Sequence, residues 1–165
     1  MNKEQQCLEV ICTIGKIFNF YSSYDQSQRQ YFEGGDSYYE KEVHLLKYII
    51  DNPEKTITEI AEKTSRTKSS VSQVIKRLVE KELIFIEKDE VDKRKLIFIP
   101  TEKGLKLDSA HRKYDMEMAK FLSKFLKDYS EQDIEIFLEL LDKYNDFQKK
   151  EYSLKDIHKV MRFWM

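Results

Sequence analysis

The chain has 165 residues, 41% of them hydrophobic and 36% charged, with only four Gly and two Pro, which fits one compact chain and favours helix over a turn-rich β fold. No run approaches the ~20 apolar residues of a membrane span, and Met1-Asn2-Lys3-Glu4-Gln5-Gln6 lacks the charged-then-apolar layout of a signal peptide, so no membrane partner and a cytoplasmic location are expected. A net charge of -1 argues against nucleic acid as a partner for the whole surface, yet residues 63–79 hold five cations (Lys63, Arg66, Lys68, Lys76, Arg77) and no acid, enough for a local basic patch.

The first helix is expected over about residues 5–24. Its apolar residues fall on two overlapping stripes (Leu8, Ile11, Phe18 and Val10, Ile14, Ile17, Tyr21), so it must be covered on several sides. Cys7 and Cys12 point about 140° apart on that helix and cannot pair within it; they read first as small apolar residues on a buried helix. Residues 25–35 are polar and end in Gly34-Gly35, a loop. Ser37-Tyr38-Tyr39-Glu40 then has the Ser-x-x-Glu form of a capping box, opening a helix that buries Val43, Leu46 and Ile50 and breaks at Asn52-Pro53.

Thr56-Ile57-Thr58-Glu59 is a second capping box, opening a short helix with Ile60 and Ala61 inward, and the turn Thr64-Ser65-Arg66-Thr67 leads to a helix over about residues 68–81. This is a helix-turn-helix pattern. Val71, Val74, Ile75, Leu78 and Val79 form one apolar stripe, so Ser69, Gln73, Lys76 and Arg77 point outward. With Lys68, Ser70 and Ser72 they are the candidate DNA contacts, side-chain types that reach base edges or phosphates from a helix in a major groove. A charged outer face can equally be a solvated one, and this helix alone leaves both readings open. Residues 83–88 and 95–99, rich in Ile, Leu and Phe and too short for helices, read as a hairpin around Asp89-Glu90-Val91-Asp92-Lys93-Arg94. A hairpin directly after a recognition helix is a wing. Its cations Lys93 and Arg94 suit a narrow minor groove, and Asp92 suits a bracing role, orienting Arg94 or accepting from Arg77.

Asp92, Arg94, Phe98, Thr101 and Gly104 match the wing signature Asp-x-Arg-x-x-x-apolar-x-Leu-Thr-x-x-Gly, departing at Pro100 where Leu is usual, and on these residues the chain resembles the multiple antibiotic resistance regulators, the MarR family. The resemblance covers about residues 5–150. It implies a mainly α fold with a small β-hairpin wing: a winged helix-turn-helix lobe over 37–104, and dimerisation helices over 1–24 and 105–150 that interdigitate with those of a second chain. It further implies a homodimeric regulator, a repressor, reading double-stranded DNA with one recognition helix per half-site. A cleft for small aromatic or anionic effectors would lie between dimer helices and winged lobe, with Tyr21, Tyr24, Tyr39 and His44 as candidate lining here. Some relatives carry a reactive N-terminal cysteine, which gives Cys7 and Cys12 a redox reading beside the packing one. Some sense zinc, which here would require the fold to assemble His44, His111 and acids. Spacing shows no such signature, so neither metal nor cofactor is expected. Glu82 stands where the family commonly has Gly, at a left-handed helix cap, at a cost of roughly 1 kcal/mol.

Thr101 can cap a long helix to about residue 127, with Leu105, Ala110, Tyr114, Met118, Phe121, Leu122 and Phe125 at three- and four-residue intervals. At about 40 Å it is longer than a small domain needs, so part of it must pack elsewhere. Ser130-Glu131-Gln132-Asp133 opens another helix, and residues 151–165, with Ile157, Val160, Met161 and Trp164, read as a short amphipathic helix docked on the chain's own dimer. No phosphate loop, His-Glu-x-x-His or Gly-x-Ser-x-Gly occurs, and His44, His111 and His158 lie far apart, so no enzyme is expected. The competing reading is a winged-helix interaction module that binds protein or a small ligand without useful DNA affinity.

Overall fold

The computed structural model describes residues 1–25, 27–33, 35–90 and 95–151, in two compact units divided between residues 116 and 117. Asp92, Lys93, Arg94 and, of the helix expected over 151–165, residues 152–165 lie outside the described residues, as does the side chain of Tyr24. The elements run α1 (Lys3–Asp25), β1 (Gln28–Gln30), β2 (Ser37–Tyr39), α2 (Glu40–Asp51), α3 (Ile57–Lys63), α4 (Lys68–Glu80), β3 (Ile84–Lys88), β4 (Leu96–Pro100), α5 (Glu102–Phe125) and α6 (Glu131–Glu151). This is a mainly helical fold with a winged helix-turn-helix at its centre.

The helix-turn-helix forms where the capping chemistry directs it. Thr56 Oγ1 accepts from the Glu59 N–H at 3.3 Å and the Glu59 carboxylate accepts from the Thr56 N–H at 2.9 Å, the reciprocal bonds of a capping box. Thr67 Oγ1 accepts from the Ser70 N–H at 3.1 Å and starts α4. Val71, Val74, Ile75 and Leu78 of α4 are buried with Val43, Leu46 and Ile49 of α2, Ile60 and Ala61 of α3, and Leu83, Ile84, Phe98 and Leu107. Each such side chain contributes about 1.5–3 kcal/mol on leaving water. Two expected core positions differ: Val79 is exposed, and Ile50 is half-buried while Ile49 and Leu45 take the inward places.

The segment expected as a loop holds β1, paired antiparallel to β2 with Arg29 opposite Tyr38 and Gln30 opposite Ser37. Ser37 is therefore committed to a strand and does not cap α2. The cap moves two residues on: the Tyr39 N–H donates to Glu42 Oε2 at 3.0 Å, and α2 begins at Glu40. Tyr38, between them, is buried.

At the far end of α4 the Leu83 N–H donates to the Leu78 carbonyl at 2.8 Å and the Glu82 N–H to the Val79 carbonyl at 2.9 Å, the paired bonds of a Schellman cap. Glu82 occupies its left-handed position with φ 57°, as its place in the sequence suggested. The wing follows, with β3 and β4 antiparallel and Ile86 opposite Phe98. Thr101 closes it: its hydroxyl donates to the Glu82 carbonyl at 2.7 Å while its oxygen accepts from the Gly104 N–H at 3.0 Å, starting α5.

The outer helices are a contrast. Leu8, Val10, Ile11, Ile17, Phe18, Phe20 and Tyr21 of α1 are exposed, and Cys7 and Cys12, expected to be buried, are exposed with them. In the second unit α6 is capped by Ser130, whose N–H donates to Asp133 Oδ2 at 2.9 Å. No described residue from 117 to 150 is buried, although Phe121, Leu122, Phe125, Phe137, Leu138 and Leu140 are all there.

Candidate nucleic-acid interface

α4 presents Lys68, Ser69, Ser72, Gln73 and Lys76 to solvent, directly opposite its buried stripe. Ser70 is half-buried beside its cap. The exposed set carries two cations, two hydroxyls and an amide; among the described residues its ion pair is the long, exposed one of Lys76 with Glu80 at 3.7 Å. Such a pair is worth little in water and gives way readily to phosphate.

Arg77 is not on that free face. Its Nε lies 3.5 Å from Oε1 of Glu42, a fully buried carboxylate whose other oxygen holds Lys81 Nζ at 2.7 Å. Two cations of the α4 end thus neutralise one acid of α2. A buried carboxylate needs such partners, since an uncompensated buried charge is strongly destabilising. The helical wheel placed Arg77 outward because it registers angle alone and does not see an arginine long enough to fold back onto a neighbouring helix.

Of the residues expected to line an effector cleft, Tyr21, Tyr39 and His44 have described side chains. Tyr21 is exposed on α1, Tyr39 is half-buried under Lys41 and Lys81 at 5.1 and 5.8 Å, and the His44 ring is 5.1 Å from that of His111. What the fold assembles around His44 is a different group. His44 Nε2 is 3.3 Å from Glu40 Oε1, and the Tyr31 hydroxyl stands 3.3 Å from both Glu40 Oε2 and His111 Nδ1. His111 is fully buried, and its Nε2 has no hydrogen-bond partner. Burial pushes the His111 pKa down; Asp115 and Glu40 oppose this, and His44 and Lys47 add to it. A buried imidazole held neutral keeps a lone pair for a metal.

Glu40, His44 and His111 each offer one ligand atom, all within 4.8 Å of one another. Two imidazoles and a carboxylate suit a zinc-like ion, and an orphaned buried nitrogen is what such a site leaves without one. Sequence spacing could not show this, because the two histidines are 67 positions apart and meet only when α5 packs on α2. Glu40 and His44, four apart with an acid and an imidazole on one helix face, were the only local signal.

Residues 41–95 match the sequence model of the MarR family. The chain is 31% identical over 100 residues to the uncharacterized HTH-type transcriptional regulator YhjH of Bacillus subtilis (strain 168), spanning 61% of this chain and 57% of that relative's length. The Staphylococcus aureus MepR–DNA complex is similar at 25% identity and a TM-score of 0.57, covering 66% of this chain and 77% of that one. The zinc-responsive MarR family member ZitR of Lactococcus lactis is similar in fold at 17% identity and a TM-score of 0.63, covering 86% and 97%.

Proposed function

We propose, from the match of residues 41–95 to the MarR family model, that the chain is a MarR-type transcriptional regulator, a repressor that binds duplex DNA as a homodimer. The exposed Lys68, Ser69, Ser72, Gln73 and Lys76 face of a well-capped α4 carries this reading. Lys and Gln there can reach base edges while the Ser hydroxyls and remaining cations take phosphates. The wing residues Asp92, Lys93 and Arg94 belong to the proposal as backbone and minor-groove contacts braced by Asp92. Support for the dimer is the apolar surface of α1 and of residues 117–150, which lacks any buried member. A second copy of 1–24 and 105–150 would cover it, leaving the 37–104 lobes as the DNA-facing parts. The compartment is then the cytoplasm, and no catalytic role is assigned; no described helix is long and apolar enough to cross a membrane. Binding to a mixed-sequence duplex across a salt series tests the reading: affinity must fall steeply as salt rises, whereas an interaction module without DNA affinity shows no binding at any salt.

For the effector, the Glu40–His44–His111 cluster favours a divalent cation over a small aromatic or anionic ligand held by Tyr21, Tyr24, Tyr39 and His44. ZitR, of the same fold, is described as zinc-responsive. When bound, the ion would supply a charge that ties α2 to α5; the residues that hold it are Glu40, His44 and His111. Operator affinity measured with and without added Zn²⁺ tests this, with His111→Ala as the variant that must lose the response.

A further inference from the structure

Resting on the reading of α4 as the DNA-contacting helix, we propose that Lys81 is a positioning residue for that contact: it pins the C-terminal end of α4 to the buried Glu42 of α2 and to the β2 backbone, and so fixes where Gln73 stands. The apolar stripe of α4 decides which face turns inward, but contact between apolar side chains has no direction of its own and leaves small slides and pivots open. Lys81 supplies the direction. It is the C-cap residue of α4, its N–H donating to the Arg77 carbonyl at 3.0 Å, and its Nζ donates to Glu42 Oε2 at 2.7 Å and to the Ser37 carbonyl at 3.2 Å. Glu42 Oε2 also accepts from the Tyr39 N–H at 3.0 Å, so one carboxylate oxygen joins the start of α2 to the end of α4. The buried Tyr38 ring has its centroid 5.1 Å from the same ammonium.

This link has no substitute. Glu42 is fully buried, so water does not stand in for the ammonium, and Arg77 comes only to 3.5 Å of the other oxygen, which has no hydrogen-bond partner. A buried ion pair adds little stability over apolar residues of similar size; what it adds here is a defined geometry. Gln73 lies eight residues back along the helix from Lys81, a distance of about 12 Å. A shift of about 1 Å there takes a side-chain amide out of hydrogen-bond range of a base edge, whereas a long cation such as Lys68 or Lys76 still finds a phosphate. The consequence is for selectivity, with total affinity little changed.

The experiment measures affinity for a duplex selected with the full chain and for a mixed-sequence duplex, over a salt series. Glu42→Gln with Lys81→Met removes the pair without leaving a buried charge, and its unfolding midpoint should stay near that of the parent. Its ratio of selected to mixed affinity should fall about tenfold, the size of one mismatched base pair, with mixed-sequence affinity and salt slope as in the parent. Lys81→Gln, too short to reach Glu42 and leaving Arg77 as its cation, should lose the ratio in the same way, and it decides the question if the double variant does not fold. A parent-like ratio in a folded variant would overturn the proposal, because the apolar stripe would then place α4 unaided. A salt slope reduced by about 1 per half-site would overturn it by making Lys81 a direct phosphate contact. Failure of the parent to select any duplex would instead remove the DNA reading, and this inference with it.

Discussion

The carbonyl oxygen of Leu83 lies 2.1 Å from the point a Cβ on Gly104 would occupy. Leu83 is the residue that completes the α4 cap, and Gly104 is in the first turn of α5, so the wing is closed by a backbone-to-backbone approach that only glycine permits. Gly104→Ala must push α5 off the wing base. Urea unfolding should show a loss above about 2 kcal/mol, since the obstacle is main chain and cannot swing aside; a loss under about 0.5 kcal/mol would show that α5 can shift freely.

Glu82 is the opposite case, a side chain where glycine fits better. With φ 57° it carries the left-handed strain of the α4 cap. Glu82→Gly should raise stability by about 1 kcal/mol in the same assay, and a neutral or destabilising result would mean that the Glu82 side chain contributes something that offsets the strain.

Acid should weaken the α3 start. The Glu59 pKa is lowered to about 2, chiefly by the Lys55 hydrogen bond and then by the Thr56 backbone and side-chain bonds. Its folded value lies below its unfolded one, so its contribution is present above the unfolded value near 4.5 and is lost as pH falls toward 2. Glu59→Gln should be less stable than the parent at pH 7, with the gap closing between pH 4.5 and 2. A gap independent of pH would assign the effect to something other than the carboxylate charge.

Self-association should rest on the exposed apolar helices. Ile17→Glu in α1 and Phe137→Glu in α6 place a charge on surfaces that are 50% and 58% exposed in the single chain. Sedimentation at micromolar concentration should show a dimer for the parent and monomer for both variants. An unchanged dimer would put the interface elsewhere.

What was legible in the sequence was legible for local reasons. Thr56 with Glu59 and Ser130 with Asp133 are decided within a few residues of themselves and stand where spacing put them, while the left-handed Glu82 stands where the family resemblance implied a cap. Ser37 failed because a tertiary pairing with Gln30 claimed its backbone, and no local pattern in residues 25–35 announces a strand. Arg77, placed outward by the wheel, is half-buried with Nε 3.5 Å from Glu42, a matter of reach that angle alone does not register. The His44–His111 meeting was invisible because it depends on how α2 and α5 pack. Lys68, Ser69, Ser72, Gln73 and Lys76 are exposed as the wheel placed them, since a stripe of buried residues fixes its opposite by geometry alone.

The central claim is that the exposed face of α4 reads duplex DNA, and the most direct measurement is affinity for a duplex selected with this protein, over a salt series, for the parent and Gln73→Ala. The parent's log affinity should fall linearly with log salt, and Gln73→Ala should cost about 1–3 kcal/mol on the selected duplex while mixed-sequence binding barely changes. No duplex recovered at low salt, or Gln73→Ala binding as the parent does on both duplexes, would contradict it.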